Sequence, residues 1–501
     1  MSWKRVAARL MCGVCVAATG VATAQVQLPK ILSSHMVVQR ELPVHVWGMA
    51  SADEAVKVSF RGETASTAAN SMGQWSVYLK PGAAGGPFAM TVQGAKDAKP
   101  IEIDDVLVGD VWVASGQSNM EFRMRQAATA AQDLPKAANN NIRLLVVDLN
   151  AADYALTDIG TEGWKVSSPE SAKEFSAVAW YFAREIEQHE HVPVGVIDSS
   201  WGGTVAEAWT RTAALGADAT LAPIFVNWGK MTDDESAALL RDKDEDRQRA
   251  EARAAGRPEP SFPWHPTMKS WGPGMLWNAM IAPLTPFAIH GAIWYQGESN
   301  SKLPRFAYYD KTMRALIEDW RRQWSVGDFP FLYVQISNYK STPEEDWASL
   351  REQQLKTLGL ANTAMAVTID IGNPDDVHPT DKLDVGHRLA LAARALSYGE
   401  DISYSGPIYR QATPENGALR LWFNHHAKGL VAKGGELTGF EVAGADGKWV
   451  PAVAKIDGNT VVVSSAQVAA PVQARYGWAN SPQCNLFNGE GLPASPFRTT
   501  H

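Results

Sequence analysis

Val106-Leu107-Val108-Gly109-Asp110-Val111-Trp112-Val113-Ala114 is a nearly unbroken apolar run, and Ser115-Gly116-Gln117-Ser118-Asn119-Met120-Glu121 follows it at once. A run of this kind, without polar alternation, suits a strand buried on both faces, as in a parallel sheet covered by helices. Working outward, similar runs recur at 142–147, 192–197, 287–295, 329–336 and 364–371. Helical periodicity lies between or after them at 175–188, 309–324, 347–358 and 382–396. The alternation predicts an α/β domain, helices on both faces of a parallel sheet, over about 106–400.

The flanks read differently. Residues 25–105 carry short alternating stretches (44–47, 56–60, 75–79 and 89–92) separated by Asn70-Ser71-Met72-Gly73 and Pro81-Gly82. Short strands punctuated by turn formers predict a β-sandwich. Residues 401–501 turn β-like again, with hairpin signals at Ala445-Asp446-Gly447 and Asp457-Gly458. Asp233 to Arg257 is dense in charge and predicts a solvated helix, inside an insertion over about 212–270.

Composition sets the broad class. At 501 residues the chain is too long for one core. Lys4, Arg5 and Arg9, the apolar run Leu10 to Val21 and the small residues Ala22-Thr23-Ala24 form the pattern of a secretory signal over 1–24. The expected location is therefore exported, periplasmic or extracellular. No later stretch is long and apolar enough to insert in a membrane. The net charge of −8 argues against nucleic acid as a partner. Two of three cysteines fall in the signal, leaving Cys484 without an internal disulfide partner. The 19 tryptophans serve either as core or as sugar-stacking platforms. Nothing in the sequence sets an oligomeric state.

Ligands of open parallel sheets bind beyond the carboxyl ends of the strands. Ser118 follows the first strand, although Met120 breaks the G-x-S-x-G elbow pattern. Gly202-Gly203 follows the third and can bring backbone N–H groups close to a ligand. Gln296 follows the fourth and could donate to an oxyanion. His378 follows the sixth, with Asp375 and Asp376 just before it to orient its ring. A nucleophile, oxyanion donors and an oriented base on one sheet edge are what acyl transfer requires. Glu121 and Glu298 are expected to brace the nucleophile loop and the Gln296 loop. Trp201, Trp277, Trp294 and Asn119 are candidates for substrate contact, with core packing as the alternative for the tryptophans. His425-His426 reads as surface or turn, so no metal and no cofactor are expected.

Gly109 to Met120, Trp294-Tyr295-Gln296-Gly297-Glu298-Ser299-Asn300 and Asp376-Val377-His378-Pro379 resemble the sialate O-acetylesterase family, a branch of the SGNH hydrolases. Tyr476 to Asn480 and Asn488 to Arg498 are similar to that family's C-terminal β-region. The resemblance implies a three-layer, flavodoxin-like SGNH sheet with β-sandwich regions at both ends, and hydrolysis of acetyl esters on sugars. It implies Ser118 as nucleophile, His378 as base, and an oxyanion hole from the Ser118 N–H, a glycine of Gly202-Gly203 and the Gln296 amide. For the acid, Asp375 fits the superfamily's D-x-x-H spacing and is preferred; Asp376 fits the subfamily's D-x-H-P. The expected substrate is an acetylated carbohydrate, either O-acetylated sialic acid or acetylated hemicellulose such as xyloglucan or xylan. A secreted, non-catalytic sugar-binding protein is the alternative; intact Ser118, Gln296 and His378 argue against it.

Overall fold

A computed structural model describes residues 25–499 except 234, 263, 264 and 266. The expected signal segment, 1–24, lies outside the described residues.

The central sheet contains β1 (Ile101–Gly116), β2 (Asn139–Val146), β3 (Lys165–Ser167), β4 (Val194–Ser200), β5 (Gly291–Tyr295), β6 (Phe331–Gln335) and β7 (Thr363–Val367). Their order is β7-β6-β5-β1-β4-β2-β3. All pairings are parallel except the short edge strand β3, which runs antiparallel to β2. The chain leaves β1 to build one side, returns through β4, then builds the other side from β5 onward. The end of β1 is thus the topological switch point, where open α/β sheets hold ligands.

The unbroken apolar runs are explained by burial on both faces. Along β1, Trp112 and Ala114 face a cluster with Trp180, Phe182, Val385 and Leu389, from helices Ala177–Glu190 and Leu383–Leu396. Val111 and Val113 face the opposite cluster with Trp209, Trp277, Leu316 and Trp320. The period-2 alternation of a strand sorts neighbours into two cores. The result is a three-layer α/β domain.

β1 is longer than the apolar run suggested, at 16 residues. Its first half pairs with Val37–Gln39 and Gly85–Gly94 of the N-terminal β-region, and its second half with β4 and β5. One strand therefore runs through the expected boundary near 105. At the crossover, buried Asp110 accepts from Arg40 Nε at 2.8 Å and Tyr398 Oη at 2.9 Å. The Arg40 and His290 partners hold its carboxyl well below the ordinary range despite burial.

The charged insertion forms helices Ala222–Asp233 and Glu235–Ala254, then returns through Met268–Trp271. At the C-terminal end two four-stranded sheets enclose their own core, with Leu421, Val442, Val463 and Tyr476 among its members. This region is keyed to the catalytic layer: buried Arg351 donates to the carbonyls of Ala479 at 2.8 Å and Asn480 at 2.7 Å. The Tyr339 N–H also donates to the Asn480 carbonyl, at 3.2 Å. No helix among the described residues is long and apolar enough to cross a membrane.

Candidate active site

β1 ends at Gly116, whose φ is +137°. A Cβ there would lie 2.2 Å from the Tyr295 carbonyl oxygen, so glycine is what lets β1 and β5 stay paired as the chain turns. A single helical turn, Ser118–Glu121, follows, with the Met120 and Glu121 N–H groups bonded back to Gln117 O at 2.8 and 3.0 Å. Ser118 is its first residue, so its N–H is one of the donors an α-helix start leaves without an intrahelical partner. Buried Ser176 fixes the turn from behind, donating to Met120 O at 2.6 Å.

Ser118 Oγ lies 2.8 Å from His378 Nε2, on the loop after β7. The sequence separation of 260 residues is closed at the switch point of the sheet. Burial, aided by the positive charge of nearby Lys382, lowers the His378 pKa below its ordinary 6.5. The ring is therefore neutral at neutral pH, able to accept a proton from Ser118.

The preferred acid, Asp375, is corrected by the structure. It is 79% exposed and pairs with Lys340 Nζ at 3.0 Å, turned away from the ring. Asp376 is the carboxylate beside the histidine: its Oδ1 accepts from the His378 N–H at 2.9 Å and stands 3.9 Å from Nδ1. That distance is too long for a hydrogen bond, so Asp376 acts on the ring through charge alone.

Gln296 also departs from expectation. Its Nε2 donates both hydrogens elsewhere, to Thr204 O at 3.1 Å and Asn300 Oδ1 at 2.7 Å. Its Oε1 accepts from Tyr309 Oη at 2.8 Å. With both donors spent and the side chain wholly buried, Gln296 has nothing left for an oxyanion. It ties the 204, 296–300 and 309 segments together instead.

Gly202 and Gly203 do lie beside Ser118, on the loop after β4. The Gly202 N–H donates to Glu121 Oε2 at 2.6 Å. Glu121 thus reaches across to the glycine pair rather than bracing its own loop. Glu298 serves the nucleophile turn, not Gln296: its Oε1 accepts from Asn119 Nδ2 at 2.6 Å. Asn119 Nδ2 also donates to Val377 O at 3.0 Å, and its Oδ1 accepts from Lys382 Nζ at 2.5 Å. Asn119 is buried and ties the nucleophile and histidine loops together. Burial raises the Glu298 carboxyl and lowers the Lys382 ammonium, the latter to about 7.

A cleft of about 850 Å³ opens over Ser118 and His378. Trp201, Trp271, Tyr339 and Trp347 line it, together with Gly202 and Gly203. A second hollow on the other side of Ser118 is lined by Phe122, Arg123, Gln126 and Thr380. Of the three candidates, Trp201 lines the cleft, whereas Trp277 and Trp294 are buried core residues, with ring centroids 6.1 Å from Trp320 in both cases. The sequence reading missed two tryptophans of the cleft, Trp347, which is almost wholly buried, and Trp271. Trp271 comes from the insertion, its Nε1 donates to Gly203 O at 2.7 Å, and Arg305 stacks over it at 4.6 Å. A tryptophan at the end of a charged insertion was the one available signal.

Residues 265–395 match the family model described as carbohydrate esterase, sialic acid-specific acetylesterase. The sialate O-acetylesterase of Mus musculus is 31% identical, the match covering 93% of this chain and 93% of that protein. The Homo sapiens sialate O-acetylesterase is also 31% identical, over 93% of this chain and 91% of that protein. The crystal structure of a carbohydrate acetylesterase from Xanthomonas citri is 40% identical, with a TM-score of 0.82 over 95% of this chain and all of that one. Fold, site and relatives converge: this chain is an esterase and belongs to the sialate O-acetylesterase family.

Proposed function

We propose that the chain removes acetyl groups from sugar hydroxyls through an acyl-enzyme on Ser118. The 2.8 Å Ser118–His378 contact at the floor of an aromatic cleft carries the reading. His378 Nε2 takes the Ser118 proton as Oγ attacks the acetyl carbonyl. The tetrahedral oxyanion is received by the Ser118 N–H and the Gly202 N–H. His378 then gives its proton to the departing sugar oxygen, leaving acetyl-Ser118. Water repeats the cycle: His378 removes its proton, the tetrahedral adduct collapses, and Ser118 recovers the proton as acetate leaves.

Cations near the mouth already have carboxylate partners. Arg123 stands 3.3 Å from Glu121, Arg305 is 3.3 Å from Glu207, and Lys302 is 3.8 Å from Glu345. An acidic sugar would have to compete with them, whereas a neutral glycan needs only hydroxyl contacts and stacking. This supports an acetylated neutral polysaccharide, of the hemicellulose kind, as substrate. The second reading, O-acetylated sialic acid, is favoured by the names of the mouse and human relatives. Export to the periplasm or beyond is proposed on residues 1–24 alone.

The test is acetate release by wild type and Ser118→Ala, on acetylated xyloglucan, acetylated xylan and O-acetylated sialic acid side by side. Release from a xylan or xyloglucan that vanishes in the variant supports the full reading. Release from the sialic acid alone replaces the substrate. Release that survives in Ser118→Ala removes the nucleophile.

A further inference from the structure

The Gly202 N–H is one of the two donors assigned to the oxyanion, and it already has a partner. Glu121 Oε2 holds it at 2.6 Å. A Cβ built on Gly202 would sit 3.1 Å from that oxygen and 3.3 Å from Ser118 Cβ. The carboxylate therefore occupies the space beside the nucleophile where the ester carbonyl oxygen has to arrive. An oxyanion and a carboxylate at one N–H repel each other, so the two do not share it. Glu121 also has somewhere to go. Its Oε1 is 3.3 Å from Arg123 Nη2, and Arg123 Nη1 is anchored 3.6 Å from buried Asp198. Glu121 is only a quarter exposed, yet it lines both hollows that flank Ser118.

We infer that Glu121 is an autoinhibitory gate, whose carboxylate fills the oxyanion receptor and must swing toward Arg123 before an ester reacts. The inference rests on Ser118 being the nucleophile. Displacing the carboxylate draws on substrate binding energy. A sugar ester seated against Trp201, Trp271 and Tyr339 supplies that energy through contacts remote from the reacting carbonyl. A charge-assisted hydrogen bond of this kind corresponds to roughly tenfold to hundredfold in an equilibrium.

The experiment compares Glu121→Ala and Glu121→Gln with wild type in the full chain. The substrates are 4-nitrophenyl acetate and the acetylated glycan that wild type accepts. Phenylboronic acid serves as a probe of the receptor: Ser118 Oγ adds to boron, its proton passes to His378, and the anionic adduct places an oxygen in the hole. Expected for Glu121→Ala is about a tenfold or larger gain in kcat/KM on 4-nitrophenyl acetate and a matching fall in the boronate inhibition constant. The sugar ester gains by a similar factor, because the cost of opening belongs to the enzyme and not to the substrate. Glu121→Gln, which keeps the shape without the charge, falls between and guards against a folding artefact. If either folded variant loses kcat/KM and boronate affinity together, Glu121 merely supports the glycine loop and the gate is overturned. Activity and boronate affinity both unchanged would overturn it equally. Ser118→Ala is the separate control: acetate release that survives there removes the nucleophile reading, and the gate with it.

Discussion

Replacing Asp376 should cost this enzyme little, and replacing Asp375 nothing. In a buried serine triad the acid is hydrogen-bonded to the histidine, and disabling it costs about 10⁴ in rate. Here Asp376 Oδ1 is 3.9 Å from His378 Nδ1, and its side chain is 54% exposed. Two unit charges about 4 Å apart in a water-like dielectric interact by about 1 kcal/mol. That energy is realised only when the ring becomes imidazolium in the transition state. One kcal/mol is about fivefold in rate. Asp376→Ala should therefore lower kcat/KM by about fivefold. Asp375→Ala breaks only an exposed pair with Lys340 and should stay within experimental error of wild type. The assay is initial-rate acetate release at pH 8, with thermal melts to show that both variants fold. A loss beyond about a thousandfold for Asp376→Ala would mean that the loop closes into a true triad on substrate binding. A large loss for Asp375→Ala would refute the geometry itself.

Other expectations follow from the same network. The acid limb of kcat/KM against pH should lie below 6.5, because the neutral imidazole is the active form and burial favours it. Lys382→Gln removes a positive charge that also lowers this pKa, so its limb should move to higher pH. Gln296→Ala should lower stability by about 2 kcal/mol in a urea titration, since buried partners at Thr204, Asn300 and Tyr309 lose their bonds. Trp271→Ala should raise KM for a glycan ester several-fold and leave 4-nitrophenyl acetate hydrolysis near wild type, in parallel steady-state assays.

Ser118 and His378 were legible because each stands where a buried apolar run gives way to a loop, and parallel topology gathers such points at one edge. The run itself identified β1, since burial on both faces suppresses polar alternation. The acid was not legible. Both aspartates have plausible spacing, and the choice is made by a local contact: Asp376 accepts its own neighbour's N–H and thereby turns Asp375 outward to Lys340. Gln296 misled for a similar reason. Its place in the chain is beside the site, but the Thr204 carbonyl, which can only accept, takes an amide N–H at 3.1 Å and fixes the amide direction, with Tyr309 Oη donating to Oε1 at 2.8 Å. Trp277 and Trp294 lie close to motif residues in sequence, whereas Trp271 reaches the cleft by way of an insertion whose path no periodicity reveals.

The 16-residue strand β1 makes residues 25–105 a poor candidate for a removable cassette. Cutting there would strip Val37–Gln39 and Gly85–Gly94 of their partner, and would leave the near half of β1 as a bare, sticky edge. The same bar of backbone ends two residues before Ser118, so the sandwich and the nucleophile should melt in one transition rather than two. Anyone recombining parts of this enzyme with its relatives would do better to place the joint in a surface turn than between the parts that look like domains.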